Sequence, residues 1–378
     1  MKKSFSKIKI LHLLHCVGGV EVYVRQITEN INPDYIENII VSQTLINKDK
    51  FQNSNKGLIK THTINIKREI NPLFDLLAIF KFIYIIIKEK PNLIHAHSAK
   101  GGVIARISSL FFKIKVFYTP HAFSFLSTNS FLKRQLYIFI EKALKTSNTF
   151  VLATSISEKN QAEHKIGYSP SKVMVLNNAI PPFDLSIIKA YPLIHSNYIC
   201  TVARPSYQKN VEMLLDVFLL ITNKCNDIHL FIIGAGEYSP SLNKIKKIIV
   251  KYNLDSNVTI LPWVARTNVL SIIKNSKIYV STSRYEGMPY AVIESMSLKV
   301  PCVLTDVDGN RDLVKDGYNG YIIKNMDVKD MSLKICDLLE NNDKRKQFGE
   351  NAYAYYLKNH LLSQFIDKLT RNYFKISS

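Results

Sequence analysis

Short apolar runs alternate with amphipathic helical stretches along nearly the whole chain of 378 residues. Apolar runs of strand length, separated by stretches with a helical period, are typical of parallel sheets covered by helices. The alternation stops at residues 179–184, where Pro181 and Pro182 precede a short polar stretch, and it starts again at Tyr198. This break predicts two doubly wound α/β domains, residues 1–184 and 185–358, followed by a C-terminal helix over residues 359–378.

The pattern also gives approximate bounds for the elements. The predicted strands cover 7–15, 38–43, 61–66, 93–97, 115–120, 149–155, 173–178, 198–203, 229–233, 258–261, 277–282 and 302–305. The predicted helices include 20–31, 74–88, 131–145, 211–222, 242–252, 269–274, 290–299 and 328–340, and everything beyond 343 is helical in character. Ligands of such folds bind at the carboxyl ends of the strands, so polar residues at those positions are the candidates for chemistry.

The chain is strongly basic, with 50 Lys and Arg against 30 Asp and Glu and a formal net charge of +20. Residues 1–184 carry +13 of that charge. Nucleic acid, an anionic membrane and a phosphate-rich ligand would all attract such a protein. A hydrophobic content of 47% excludes a disordered polybasic chain, and five scattered cysteines without a CxxC pair indicate a reducing compartment without structural zinc.

The most informative stretch is residues 284–295, where a predicted strand ends, a short turn follows and a helix begins. Glu286 lies in the turn and Glu294 lies two helical turns later, so each carboxylate can reach a different set of sugar hydroxyls. The amides of Gly287 and Met288, ahead of Pro289, would face a phosphate group above the strand ends. Alternatively, Glu286 only complements the helix dipole and Glu294 is an ordinary surface residue.

A second candidate lies in residues 203–210. Arg204 follows a predicted strand and Lys209 precedes the next helix. Cations at a helix N-terminus are unfavourable unless an anion binds there, so the two residues predict a diphosphate site. The alternative is a pair of solvated charges in a loop.

These motifs resemble those of the retaining family 4 glycosyltransferases of the GT-B fold. The motifs lie between residues 18 and 320, so the resemblance spans nearly the whole chain. They also occur in the order that is typical of the family. They are Gly18-Gly19-Val20-Glu21, His95-Ala96-His97-Ser98, Thr119-Pro120-His121-Ala122-Phe123, the Arg-x4-Lys pair Arg204 and Lys209, the E-x7-E pair Glu286 and Glu294, and residues 306–320. The implied fold is two Rossmann-like domains facing across a cleft, with the C-terminal helix returning to the N-terminal domain.

The resemblance implies roles for individual residues. Arg204 and Lys209 would hold the diphosphate of a nucleotide-sugar and stabilise the charge of the leaving group. Glu286 would contact the hydroxyls of the donor sugar and Glu294 the ribose. The remaining implied contacts are backbone groups of Gly287, Met288 and Pro289, close approach of phosphate at Gly18 and Gly19, His121 beside the transferred sugar, and Val264 in the loop that frames the base.

The implied reaction moves a hexose or N-acetylhexosamine from a nucleotide-sugar, UDP-linked in the typical case, to a polyprenyl-diphosphate-linked or other lipid-linked saccharide. The product would be α-linked, no metal or other cofactor is expected, and the pathway would be O-antigen, capsule or exopolysaccharide assembly. Two alternatives stay open: a nucleotide-sugar epimerase of the same fold and a basic nucleic-acid-binding protein. No nucleic-acid-binding motif is present, so no nucleic-acid partner is expected.

The charge of the first domain also predicts a site of action. No apolar run reaches the length of a membrane span, so a cytoplasmic protein is expected. Residues 131–145 are basic, aromatic and amphipathic, as in a helix that lies on the inner, anionic face of the cytoplasmic membrane. The alternative for this segment is an ordinary helix with a solvated outer face.

Three further patterns are interpreted without a catalytic role. Asp306 and Asp308 have the D-x-D spacing of a different class of glycosyltransferase, which uses it to bind a metal ion. His95 and His97 share one face of a strand and lack a third ligand, so they are expected to line a pocket. Ser155 and Glu158 have the spacing of a capping box.

Overall fold

The computed structural model describes residues 7–15, 18–43, 50–67, 70–184, 191–192, 195–225, 227–236 and 239–377. The chain forms two compact units. The first unit contains Met1–Asn178 and Leu362–Ser378, and the second contains Ala179–Leu361. Among the described residues, no helix has both the length and the apolar character needed to cross a membrane.

The first unit is built on a seven-stranded sheet with the order β3-β2-β1-β4-β5-β6-β7, in which neighbouring strands pair in parallel. Its strands are β1 (Ile8–Leu14), β2 (Ile36–Ser42), β3 (Thr61–Thr63), β4 (Leu93–His97), β5 (Lys115–Thr119), β6 (Thr149–Ala153) and β7 (Val173–Val175). Its helices are α1 (Gly19–Thr28), α2 (Pro72–Glu89), α3 (Ser98–Ser109), α4 (Phe131–Ala143), α5 (Ile156–Asn160) with the π-helical turn Gln161–Ile166, and the C-terminal helix (Leu362–Ser377).

The central strands of this unit are buried on both faces, which explains their continuous apolar runs. All five residues of β4 are buried, including two histidines. Helix α2 begins with Asn71 as its N-cap and Pro72 in its first turn, and it ends at Lys90 in a left-handed conformation. Its inner face packs with α3 and β1 in one apolar core.

The second unit contains a six-stranded sheet with the order β10-β9-β8-β11-β12-β13, again paired in parallel. Its strands are β8 (Tyr198–Val202), β9 (His229–Ile233), β10 (Val258–Leu261), β11 (Tyr279–Ser281), β12 (Cys302–Thr305) and β13 (Gly320–Ile323). Its helices are α6 (Val211–Thr222), α7 (Leu242–Lys251), α8 (Arg266–Asn275), α9 (Tyr290–Ser297), α10 (Asn310–Leu313), α11 (Val328–Glu340) and α12 (Asn342–Asn359). Short 3₁₀ turns occur at Ser124–Leu126 and Pro170–Lys172 in the first unit and at Lys324–Met326 in the second.

The predicted domain boundaries differ from those of the structure. The first unit ends at Asn178 rather than at residue 184, because Ile180 donates its amide to the carbonyl of His360 at 3.0 Å and packs in the core of the second unit. The second unit extends to Leu361 rather than to residue 358. The continuous helix expected beyond residue 343 is interrupted at His360, and the segment from Leu362 onward belongs to the first unit.

Strand β13 and helix α8 differ from the prediction in ways that affect the candidate site or its sheet. Strand β13 is not among the strands that the sequence predicts. Gly320, the first residue of β13, is required by strand pairing, since a Cβ there would lie 2.4 Å from the carbonyl oxygen of Cys302. Helix α8 begins at Arg266, three residues before the predicted start, and this brings Arg266 into the site described below.

The cysteines within the described residues, Cys200, Cys225, Cys302 and Cys336, are free thiols. Cys16 lies outside the described residues.

Candidate functional site

The carboxylate of Glu286 is the centre of a hydrogen-bonded cluster at the carboxyl ends of β8 and β11. Its Oε1 accepts from Lys209 Nζ at 2.6 Å and from Ser283 Oγ at 2.7 Å, and its Oε2 accepts from Gln208 Nε2 at 3.4 Å. Glu286 is 6% exposed. Of the two carboxylate oxygens, Oε1 therefore has two short contacts, whereas Oε2 has one long contact and keeps more capacity to accept a hydrogen bond.

Backbone contacts hold together the two loops that carry this cluster. The amide of Arg284 donates to the carbonyl of Gln208 at 2.7 Å, and Thr282 Oγ1 donates to the carbonyl of Asn210 at 2.9 Å. Asn210 has a φ of 48° and precedes α6, so the chain turns sharply after Lys209. Arg204 lies in the same loop, two residues after β8, and is partly buried. The structure thus places Lys209, from one sequence candidate, in direct contact with Glu286, from the other.

The turn of Gly287 and Met288 rests against Gly309. A Cβ at Gly309 would lie 2.3 Å from the carbonyl oxygen of Gly287 and 3.1 Å from the amide nitrogen of Met288. Gly309 also has a φ of 80°, which favours glycine. Helix α9 begins directly after this turn, with Pro289 as its N-cap residue. Gly309 lies in an Asp-Gly-Asn segment, which is a turn signal in the sequence.

Glu294 is buried in α9 and pairs with Arg266, whose Nη2 lies 2.6 Å from Glu294 Oε1. Burial raises the pKa of Glu294, and the positive charge of Arg266 opposes that shift. Val264 lies two residues before Arg266, and the neighbouring Trp263 is 68% exposed. Glu294 is therefore not the ordinary surface residue of the alternative interpretation, and Arg266 is a partner that only the tertiary structure shows.

In the first unit, His121 lies in a strained turn after β5. His121 and Ala122 have φ values of 53° and 82°, both in the left-handed region. Glu158 Oε1 accepts from the amide of Ala122 at 2.8 Å, and Glu158 Oε2 accepts from the amide of Thr154 at 2.6 Å. The capping-box prediction is thus only half right: Ser155 Oγ accepts from the amide of Glu158 at 3.0 Å, but the carboxylate of Glu158 fixes the turn of His121.

A chain of histidines leads from His121 into the core. Nε2 of His121 lies 3.4 Å from Nδ1 of His97, and Nε2 of His97 lies 3.2 Å from Nδ1 of His12. Nε2 of His12 lies 3.0 Å from Oδ1 of Asn38, which can only accept. If each imidazole is neutral, the acceptor Asn38 places the proton of His12 on Nε2, and the contacts then place the proton of each histidine in the series on Nε2. In His12, His97 and His121 alike, Nε2 therefore donates, and Nδ1 of His12 and of His97 accepts. Nδ1 of His121 is then the unprotonated nitrogen.

Burial keeps these imidazoles neutral. Burial lowers the pKa of His12 to about 4 and that of His121 to about 3, and it lowers the pKa of His95 and of His97 well below the usual value. A neutral His121 offers a hydrogen bond rather than a positive charge.

The structure places a third histidine, His12, beside His95 and His97. Nothing in the sequence indicates that these three residues are neighbours. One ring nitrogen of each lies within 4.8 Å of the others. His95 contacts Tyr373 OH at 2.6 Å and Thr119 Oγ1 at 2.9 Å, so both nitrogens of all three rings are hydrogen-bonded to protein groups.

Gly18 and Gly19 lie at the start of α1. Gly18 has a φ of 59°, so the backbone conformation itself favours glycine. A Cβ at Gly18 would meet no atom within 4 Å.

Asp306 and Asp308 are both paired with Arg311. The guanidinium contacts Asp306 Oδ1 at 2.7 Å and also contacts Asp308 Oδ1. The two carboxylates are therefore part of an ion-pair network at the start of α10.

Two family models match this chain. The model described as Glycosyltransferase Family 4 matches residues 17–182, and the model described as Glycosyl transferases group 1 matches residues 189–355. The chain belongs to the family 4 glycosyltransferases. The enzyme is thus a hexosyltransferase of GT-B fold, and the alternative of a non-enzymatic nucleic-acid-binding protein is wrong.

The curated relatives of this glycosyltransferase include bacterial enzymes named for capsular-polysaccharide and O-antigen biosynthesis. It is 26% identical to the Escherichia coli UDP-Gal:alpha-D-GlcNAc-diphosphoundecaprenol alpha-1,3-galactosyltransferase, over 87% of each chain. It is 27% identical to the capsular polysaccharide biosynthesis glycosyltransferase CapM of Staphylococcus aureus, over 77% of this chain and 78% of CapM. The structure of Anabaena HepE in complex with UDP and glucose superposes with a TM-score of 0.77 at 17% identity, covering 97% of this chain and 99% of that chain.

Proposed function

We propose that this glycosyltransferase moves a hexose or N-acetylhexosamine from a UDP-sugar to a lipid-linked saccharide and retains the anomeric configuration, so that an α-linkage forms. The observation that carries the proposal is the Glu286 cluster, which presents a carboxylate, a lysine and backbone turns at the ends of two strands. The name of the E. coli relative, with a UDP-sugar donor and a diphosphoundecaprenol acceptor, supports the choice of substrates.

In this proposal the second unit binds the donor. Lys209, held by Glu286, and Arg204 in the same loop contact the diphosphate and stabilise the charge that develops as the leaving group departs. Oε2 of Glu286 accepts from hydroxyls of the donor sugar, because Oε1 is already occupied. Glu294, oriented by Arg266, accepts from the ribose, and the loop at Val264 frames the base.

The remaining contacts follow the same logic. The amides of Gly287 and Met288 face the donor ahead of Pro289, and the backbone at Gly18 and Gly19 approaches its phosphate. The bond from the anomeric carbon to the phosphate oxygen breaks as the acceptor hydroxyl attacks from the same face, and the proton of that hydroxyl passes to the leaving diphosphate. His121 accepts a hydrogen bond from a sugar hydroxyl at Nδ1.

We also propose that transfer needs no metal ion, because both carboxylates of the D-x-D pattern are engaged by Arg311. Cations of the protein would instead neutralise the diphosphate. A transfer rate that is unchanged by EDTA would support this, whereas loss of transfer that Mg²⁺ or Mn²⁺ restores would contradict it.

The net charge of +13 on residues 1–184 supports peripheral docking of the enzyme on an anionic membrane surface, where a lipid-linked acceptor is held. In this proposal the site of action is the inner face of the cytoplasmic membrane.

The test is a panel of UDP- and GDP-sugars offered with a synthetic lipid-diphosphate saccharide, with products identified by mass spectrometry and the anomeric configuration by NMR. Glu286→Gln should reduce transfer by at least about a hundredfold. Glu350→Gln is the matched control, because Glu350 forms an exposed ion pair with Lys299 at 2.8 Å. A Glu286→Gln variant as active as the control would contradict the assignment.

A further inference from the structure

Helix α2 exposes a continuous apolar stripe on its outer face. Its members are 49–65% exposed: Leu73, Leu76, Leu77, Phe80, Tyr84 and Ile87. At the helical repeat of 3.6 residues per turn these six side chains fall within an arc of about 100°. The stripe therefore runs along almost the whole length of the helix.

The opposite face of α2 is an ordinary core face. Ala78, Phe82, Ile85 and Ile86 are buried and pack in the core of the first unit. A surface helix of a water-soluble domain usually has one apolar face and one polar face, whereas α2 has two apolar faces. Contiguous exposed apolar surface of this kind marks an interaction site.

The stripe continues beyond the end of α2. Leu110 and Phe111, directly after α3, are 61% and 69% exposed. Between them and the last turn of α2 lies an open apolar groove of about 590 Å³, which is lined by Ile87, Pro91 and Phe111 among others. The apolar surface thus covers two neighbouring segments of the first unit.

Cations border this surface. Lys81 and Lys88 lie along one edge of the stripe at helical spacing and are exposed. Lys90 and Lys113 line the groove at its end and are also exposed.

The two carboxylates of α2 do not offset these lysines. Asp75 is bound by Lys100 Nζ at 2.6 Å, and the buried Glu89 pairs with Lys60 Nζ at 2.7 Å. Both carboxylates lie away from the stripe, so the charge beside it is positive.

A second, shorter stripe belongs to the same layer of helices. Helix α3 packs against α2, and Arg106 of α3 pairs with the buried Glu141 of α4 at 2.8 Å. Helix α4, which the sequence predicts as a membrane-surface helix, exposes Leu132 and Phe139 at 79% and 67%.

An apolar stripe bordered by lysines has the chemistry of a helix in the headgroup region of an anionic bilayer. A two-fold contact with a second copy of the chain would fit less well, because the same surface would meet itself and bring lysines close to lysines. We propose that the α2 stripe, defined by the six residues above, is the principal membrane-docking surface of this enzyme. The proposal rests on the peripheral membrane association proposed above and identifies the surface responsible.

The first test is sedimentation of the full-length protein with vesicles of phosphatidylglycerol and phosphatidylcholine, without donor or acceptor. Leu77→Asp with Phe80→Asp should abolish measurable binding, because two carboxylates replace inserted apolar side chains. Lys81→Glu with Lys88→Glu should weaken binding at least about thirtyfold, since each lysine near an anionic surface strengthens binding about fivefold. The matched control for the apolar change is Leu333→Asp, at a 52% exposed position on α11.

A second measurement detects insertion directly. Trp263 is the single tryptophan of the chain, so Phe80→Trp in a Trp263→Phe background reports only on the stripe. Brominated lipids should quench this tryptophan strongly, and they should leave a Leu333→Trp variant in the same background unquenched. Equal quenching of the two variants would overturn the proposal.

The outcomes separate docking from catalysis. If the stripe variants lose transfer to a long-chain lipid acceptor on vesicles but keep transfer to a short-chain water-soluble acceptor, the docking surface is supported. If the wild-type protein binds vesicles through the stripe but transfers no sugar, the docking proposal stands and the proposed reaction fails. Unchanged vesicle binding by the stripe variants, or a dimer that these variants dissociate without any effect on vesicles, would overturn the docking proposal.

Discussion

Gly309 offers a sharp test of how the turn of Gly287 and Met288, which we propose binds the donor, is held in place. Replacement by alanine would put a Cβ 2.3 Å from the carbonyl oxygen of Gly287, where ordinary contacts begin at 3.4 Å. The turn of Gly287 and Met288 would have to retreat by about 1 Å, because the backbone carbonyl cannot rotate away as a side chain could. A displacement of this size at a catalytic turn typically reduces a rate by about a hundredfold.

Gly317 provides the matched control. It has a φ of 71°, close to the 80° of Gly309, but a Cβ at Gly317 would meet no atom within 4 Å. Both alanine variants should therefore lose about 1–2 kcal/mol of unfolding free energy from the left-handed backbone. Only Gly309→Ala should lose further stability from the steric conflict.

The assay compares kcat/KM for transfer and the affinity for UDP, measured by calorimetry, in the two variants. Gly309→Ala should lose about a hundredfold in kcat/KM and bind UDP more weakly, whereas Gly317→Ala should stay within about threefold of the wild type. If the two variants had equal activity at equal thermal stability, the contact with Gly287 would not position the turn and the reasoning would be refuted.

Three further predictions concern the first unit. Glu158→Gln should slow transfer but leave UDP affinity unchanged, because an amide group cannot accept from both backbone amides and the turn of His121 would loosen. The free energy of unfolding should fall as the pH drops from about 6.5 to 4, by about 3 kcal/mol for His12 alone, because its pKa of about 4 in the folded state makes the unfolded state bind more protons. Glu141→Gln should cost about 3–5 kcal/mol of unfolding free energy, because it leaves the buried guanidinium of Arg106 without its carboxylate.

Each of these has its own control. An equal loss of UDP affinity in the Glu158 variant would indicate general damage instead of a local effect on the turn. A pH profile of stability that is flat in the wild type as the pH drops from about 6.5 to 4 would contradict the assignment of neutral buried histidines. Glu350→Gln, at an exposed pair, should change stability by less than about 1 kcal/mol; a similar result for Glu141→Gln would show that the buried pair is dispensable.

Much of the fold was predictable because its signals are local. Strands buried on both faces read as short apolar runs, and β4, β9, β10 and β12 have the predicted bounds. The elements that were misjudged depend on distant partners. Strand β13 needs the carbonyl of Cys302 beside Gly320, and the boundary after Asn178 depends on the hydrogen bond between Ile180 and His360.

The residues of the candidate site also fall into those that the sequence predicts and those that it does not. Glu286 and Lys209 could be selected from spacing, because motif residues at the ends of strands lie at one edge of a sheet. Arg266, Gln208 and Ser283 could not, since ordinary polar residues in loops have no distinguishing pattern until the fold brings them to a carboxylate.

The two doubly wound domains, the family and the positive charge can be derived from the sequence, because periodicity, motif order and composition are properties of the chain alone. Packing of distant segments, by contrast, sets which groups share a hydrogen bond or an ion pair and which apolar side chains stay exposed. The stripe on α2 illustrates this dependence on packing. In the sequence, residues 73–87 form one predominantly apolar run, and the structure shows that one face of the helix is buried whereas the opposite face is exposed. Burial depends on neighbours that are remote in sequence, so no local pattern could have assigned the exposed face.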